Sequence, residues 1–131
     1  MNINMNMNIK QNKEIWKEIK DFPCYFVSDQ GRVKTIKYKK EKILSATNNG
    51  NGYKRLYLYK NGIRYKFFIH RLVALMFHKP RYLYNPLTQT YILKDQVHHI
   101  DHDKSNNCSV NLMYVTAKEN MNYMFKHYKK I

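Results

Sequence analysis

Residues 96–123 read QVHHIDHDKSNNCSVNLMYVTAKENMNY. Two adjacent imidazoles, His98 and His99, open a run of acids and carboxamides. A further carboxamide, Asn120, follows in a segment that begins at Thr116. A small domain normally spends such positions on carbon; this stretch collects groups that hold cations and move protons. Successive residues of a strand point to opposite sides, so His98 and His99 do not share one task. One division of labour fits. The His98 imidazole and the Asn120 carboxamide oxygen would hold a hard divalent ion. Two protein ligands leave open positions, as suits Mg²⁺ bridged to a substrate phosphate. His99 would then take a proton from water.

Blander readings stand beside this one. His98 could be a strand residue facing solvent, and His99 a buried structural histidine. Asp101 and Asp103 could touch a metal or brace the loop. Asn106 and Asn107 read as turn formers that bond side chain to backbone. His98, His102 and Cys108 could ligate a structural zinc, although their spacing matches no common zinc pattern.

The elements that must position these groups are legible nearby. QVHHI is short and β-compatible, DHDKSNNCSVN has loop composition, and LMYV is apolar and β-prone. TAKE is a capping box, Thr116 and Glu119 each serving the other's backbone N–H. A helix is expected from about residue 117 into the high 120s, with Leu112, Tyr114, Met121 and Met124 available for packing.

Upstream, residues 53–70 carry Asn61-Gly62, a strong hairpin signal. Pairing about that turn puts Leu56, Leu58, Tyr65, Phe67 and Ile69 on one face. Tyr53, Arg55, Tyr57, Tyr59, Arg64, Lys66 and Phe68 fall on the other, which interleaves aromatics with cations and holds no acid. Such a ribbon could lie along DNA or be an ordinary amphipathic hairpin. RLVALMFH then reads as a helix with Leu72, Val73, Met76 and Phe77 at core spacing, ended by Pro80. Residues 79–95 read as loop, with one extended piece near Tyr91 and Leu93. Nearer the start, CYFV and RVKTIKY flank SDQG, a turn in which Gly31 takes positive φ. Trp16 and Ile19 are expected to pack across that hairpin. Lys34, Lys37, Lys39, Lys40 and Lys42 form a basic cluster, read equally as a guarded edge strand and as phosphate contacts. Residues 1–13 alternate Asn with Met or Ile and read as a frayed tail.

The chain has 131 residues and a formal charge of +15, from 24 Lys and Arg against 9 Asp and Glu. A field of one sign that strong points to a polyanionic partner, nucleic acid before membrane. Abundant Lys, Asn, Ile and Tyr also have AT-rich codons, so part of the charge reflects base composition. No run of 18 apolar residues and no leader pattern is present. Cys24 and Cys108 make no disulfide framework and read as two free thiols in a reducing compartment.

HHIDHDKSNNCSVNLMYVTAKEN, EIWKEIKDFPCYFVSDQGRVKTI and FIHRLVALMF together resemble the HNH endonucleases, the ββα-metal nucleases of phage and intron homing type. The resemblance spans residues 14–123 and implies an α+β fold: a small N-terminal β-hairpin module over 14–45, then a ββα-metal nuclease core over 46–131. By position it implies His99 as general base and Asn111 as the residue that orients it. It implies Asn120 as the helix-borne metal ligand. His98 falls where the family has Asn or Asp, which softens the site toward transition metals. His102 falls where the family favours Gly. The implied reaction is hydrolysis of a DNA phosphodiester to a 3′-hydroxyl and a 5′-phosphate, with Mg²⁺, or Mn²⁺ or another transition metal, as cofactor. The implied partner is double-stranded DNA; Arg55, Arg64, Lys66, Arg71 and Lys104 are read as its contacts from their own positions, Arg71 and His70 equally as helix-start residues. A monomer acting inside the cell, with no membrane, is expected. The alternatives are a catalytically inactive DNA-binding relative and a colicin-like toxin with the same chemistry.

Overall fold

The computed structural model describes residues 13–129, so all but Lys13 of the expected N-terminal tail lies outside the described residues. Among the described residues, four antiparallel sheets and two α-helices make a mixed α+β fold. The first sheet runs β1 (Trp16–Glu18), β2 (Tyr25–Ser28), β3 (Val33–Thr35) and β4 (Lys42–Ile43) in order. The expected hairpin is its centre, with Val27 opposite Val33. Ile19, Val27 and Val33 are buried, as alternation on a one-sided sheet requires. Trp16 lies across the sheet's surface, with the Lys34 ammonium 4.3 Å from its ring centroid. Lys42 lies on the edge strand of that sheet.

The second sheet is β5 (Thr47–Asn48), β6 (Lys54–Lys60) and β7 (Ile63–Phe68). Asn61 and Gly62 have φ of 52° and 76°, the two left-handed residues that a tight β-hairpin turn needs. Leu56 pairs with Phe67 and Leu58 with Tyr65, so the expected inner face forms; Leu56 and Leu58 are buried. On the outer face the Arg64 guanidinium lies 4.3 Å from the Tyr57 ring. β7 runs straight into α1 (Ile69–Phe77), two residues earlier than the apolar spacing indicated. α1 buries Ile69, Leu72, Val73 and Ala74 in the core.

Residues 79–95 differ from the loop expected there. β8 (Arg81–Asn85) and β9 (Thr90–Lys94) pair antiparallel, with Tyr84 opposite Tyr91. Tyr, Leu and Ile occupy both faces of this ribbon, so the polar alternation that marks a half-buried strand is missing. β10 (Gln96–His99) follows after one residue and pairs antiparallel with β11 (Leu112–Val115). A 3₁₀ turn, Ser109–Asn111, leads into β11, and α2 (Ala117–Lys129) follows it. The capping box forms: Thr116 N–H donates to Glu119 Oε1 at 3.0 Å and Glu119 N–H to Thr116 Oγ1 at 3.1 Å. Leu112 is buried as expected, whereas Met121 and Met124 are exposed.

One apolar cluster joins all of this. Val27 and Val33 of the first sheet, Leu56 and Leu58 of the second, Leu72 and Val73 of α1, and Val97 and Leu112 of the β10–β11 pair belong to it. The N-terminal sheet is thereby packed into the same core as the strand that carries His98 and His99. Its β2–β3 turn also reaches the long loop after β10: Ser109 N–H donates to Asp29 O at 2.7 Å. Gly31, at φ 82°, lies in that turn, and a Cβ there would come within 2.8 Å of Asn107 Cβ and 3.0 Å of Asn107 O. Gly31→Ala therefore meets a left-handed backbone penalty and a steric clash at once. A urea titration should show a loss of about 1–3 kcal/mol from the backbone alone, with the clash adding to it.

Candidate functional site

β10 presents its two histidines to opposite sides, as the alternation of strand side chains demands. His98 faces α2, its ring stacked on Tyr123 at 4.6 Å and in hydrogen-bond contact with the Asn120 amide. His102, across the loop, lies 5.1 Å from His98 between ring centroids. His102 has φ 63°, the left-handed conformation a glycine would adopt there. Burial holds His98 below the usual imidazole range, and His102 adds to this; the Asn120 hydrogen bond opposes them. His98 and Asn120, expected as a pair from the sequence, do come together.

His99 is buried on the other side, and its Nε2 lies 2.8 Å from Asn107 Oδ1. A carboxamide oxygen only accepts, so Nε2 carries the proton and Nδ1 keeps the lone pair. Asn111 sits one layer further out. Its Nδ2 donates to Asp101 Oδ1 and to Asn106 O, both at 2.9 Å, and its Oδ1 accepts from Asp101 N–H at 3.1 Å. Asn106 Nδ2 donates to Asp101 Oδ2 at 2.8 Å. These bonds, Asn106's first, hold the Asp101 carboxyl below the usual carboxylate range. Asp101 and Asp103 thus brace the loop: Asp103 Oδ1 accepts from the N–H and hydroxyl of Ser105.

Three residues lie in this site that the sequence reading placed elsewhere: Tyr53 on the outer face of the ribbon, His70 as a phosphate contact or helix-start residue, and Asn107. Asn107 read only as a turn former. Tyr53 stacks on His70 at 5.0 Å, and His70 lies 5.2 Å from the His99 ring. His70 is buried, and its Nδ1 has no hydrogen-bond partner. Its signal was the start of an amphipathic helix directly after a strand, which turns the residue inward rather than toward solvent.

Tyr53, His98, His99, His102, Lys104 and Asn120 line a cleft of about 130 Å³. An adjoining cleft of about 250 Å³ shares Tyr53 and Asn120 and is also walled by His70 and Arg71. Lys104 reaches over the Tyr53 ring at 4.7 Å and donates to Asn51 O at 2.9 Å. Arg64 and Lys66 stand exposed on β7, away from these clefts; Arg55 is half-buried with its Nε unpartnered. Among the described residues no three His, Cys, Asp or Glu gather as a metal cluster, and Cys108 lies beside Gln30 O rather than His98. The His98 imidazole and the Asn120 carboxamide oxygen nonetheless border one open cleft, a donor pair that fits a divalent ion with positions left for other ligands.

Residues 93–122 match the HNH endonuclease family and residues 14–59 the NUMOD4 motif. Over 119 residues the chain is 42% identical to an uncharacterised HNH endonuclease of Acanthamoeba polyphaga mimivirus, covering 88% of this chain and 27% of that protein. It is 36% identical over 107 residues to DNA endonuclease I-HmuI of Bacillus phage SP01, covering 81% of this chain and 55% of that one. The solved structure of DNA binding and cleavage by the HNH homing endonuclease I-HmuI matches with a TM-score of 0.68 at 33% identity. That match covers 86% of this chain and 59% of the other. The chain thus spans from about a quarter to just over half the length of these relatives.

Burial, with smaller contributions from His99 and Arg71, pushes the His70 pKa down from 6.5 to about 4. The unfolded chain therefore binds the extra proton first. The stabilisation is complete above about pH 6.5 and is lost as pH falls toward 4. Urea unfolding at pH 7, 6 and 5 should show that fall. His70→Phe, which keeps a ring against Tyr53 but cannot titrate, should flatten it.

Proposed function

The chain belongs to the HNH endonuclease family, and on that footing we propose that it hydrolyses DNA phosphodiester bonds with His99 as general base. The observation that carries the reading is the convergence of His98, His99 and Asn120 on one cleft, with the two imidazoles facing different partners. The His99 Nε2–H donates a hydrogen bond to Asn107 Oδ1, and its Nδ1 lone pair takes the proton of the attacking water. Asn107 holds that tautomer. Asn111 acts one step back, tying Asp101 and Asn106 so that the loop keeps Asn107 against the ring. Base catalysis of this kind is worth on the order of 10²- to 10⁴-fold.

His98 and Asn120 would hold a divalent ion, Mg²⁺ or a transition metal, which supplies charge stabilisation at the phosphate and the departing 3′ oxygen. The depressed pKa of His98 keeps its ring neutral and able to ligate. An imidazole in this position shifts preference toward softer transition ions such as Ni²⁺ and Zn²⁺ relative to a carboxylate. Lys104 and Arg71 line the two joined clefts and are placed to meet phosphates beside the cut. Arg64 and Lys66, on the ribbon's acid-free outer face, with Arg55 beside them, extend the contact along the duplex. The nuclease works as a monomer inside the cell that holds its DNA. In this reading the nuclease core, residues 46–131, acts with the module of residues 14–45 packed against it.

Nicking of supercoiled plasmid tests this. Cleavage should need Mg²⁺ or Mn²⁺, stop in EDTA, and fall by about 10²- to 10⁴-fold in His99→Ala while DNA binding persists. Asn120→Ala should raise the metal concentration required. Cleavage undiminished in His99→Ala would remove His99 from its role, and binding without any nicking would leave an inactive DNA-binding relative.

A further inference from the structure

The β8–β9 hairpin takes no part in the site just described, and no described residue covers it. Arg81 to Tyr84 and Thr90 to Leu93 are all exposed, on both faces of the ribbon. Tyr82, Tyr84 and Tyr91 cluster on one side, with ring centroids 5.0 Å apart for Tyr84 and Tyr91. Leu83 and Ile92, directly opposite each other, stand on the other side. A two-stranded ribbon is marginal by itself, and so much uncovered apolar surface marks a contact.

The tip is more telling than the sides. Leu87 is 93% exposed. It follows Pro86, and its N–H donates to Asn85 Oδ1 at 3.0 Å. The Thr88 and Thr90 hydroxyls close the turn at 2.6 Å. An ordered turn therefore holds an apolar side chain out in water, so its ordering cost is met before any partner arrives.

Charge identifies the partner. Residues 79–94 contain Lys79, Arg81 and Lys94 and no acid. All three line a groove of about 410 Å³ between the hairpin's root and β11, where Lys94 is paired with Glu119 at 3.3 Å, so the charge offered to a partner is that of Lys79 and Arg81. A second copy of a chain at +15 would be repelled from such a surface, whereas a polyphosphate would be drawn to it.

We propose that the β8–β9 hairpin is a DNA wedge: Leu87 inserts between adjacent base pairs while Lys79 and Arg81 hold the flanking phosphates. Leucine and proline wedges of this kind enter the minor groove, unstack one base step and kink the duplex toward the major groove. The hairpin joins the catalytic strand through Asp95 alone. Leu87 and His99, twelve residues apart, stand at most about 40 Å from each other. At roughly 3.4 Å per step, the opened step lies within about 12 base pairs of the cut. The inference rests on the reading of the chain as a DNA-cleaving protein, but its test needs no cleavage.

Closed-circular plasmid is relaxed with a metal-independent topoisomerase I in EDTA, with and without saturating protein. Wedge insertion unwinds the bound step, so the wild-type chain should leave a linking deficit. Leu87→Ala should cut that deficit by about fivefold or more while plasmid affinity stays within roughly threefold, and Leu87→Met should retain it. Because Leu87 packs on almost nothing, neither change threatens folding. A bound wild-type chain with no deficit, or a Leu87→Ala deficit equal to the wild type's, would overturn the wedge and leave the nuclease reading standing. So would sedimentation showing a dimer that Leu87→Ala breaks, which would assign the tip to a second copy. A chain that unwinds plasmid in EDTA yet never nicks it with metal would keep the wedge and sink the nuclease reading.

Discussion

The Asp101 carboxylate and the Asn106 and Asn111 carboxamides close the long loop between β10 and β11, and the site depends on that closure. Seven residues separate His99 from Asn107, and most are polar with no apolar surface to bury. Left to chain entropy, that segment would wander. A net of short hydrogen bonds among three side chains and two backbone groups offsets the cost and brings Asn107 to the His99 ring. Each bond is worth only about 1 kcal/mol net, but together they hold one geometry, and a half-made net would leave polar atoms stranded.

The N-terminal sheet supports the same loop from outside. The Asp29 carbonyl takes the Ser109 N–H, and Gly31 leaves just enough room for Asn107 to lie against the turn. The module that precedes the nuclease motif is thus a wall of the site, and the shared apolar cluster makes it part of one core. Its own surface chemistry is separate: the Glu14–Arg32 ion pair and the Lys34–Glu41 pair spend its charges on one another.

The two faces of β10 divide the electrostatics. On one side His98 meets Asn120, Tyr123 and His102, open to a cleft. On the other, His99 lies against Asn107 and a buried, neutral His70 that rests on Tyr53. A neutral neighbour adds no positive charge beside the His99 ring. A carboxamide partner likewise fixes the ring's tautomer without the charge an aspartate would bring.

What could be read from the sequence alone was whatever short-range chemistry decides. The Asn61-Gly62 turn, the Thr116–Glu119 capping box, the opposed directions of His98 and His99, and the strand–loop–strand–helix order each depend on residues a few positions apart, and each is present in the fold. The left-handed backbone at His102 is not among them, since a histidine at that position gives no local sign of it and only the fold shows it. Tertiary structure decided which carboxamide meets the His99 ring, how His70 comes to be buried beside it, and that Met121 and Met124 stay in water. It also decided that residues 81–94 pair as a bare ribbon. These depend on loop closure and on which surfaces the core has room to cover, quantities set by contacts tens of residues apart that no local pattern encodes.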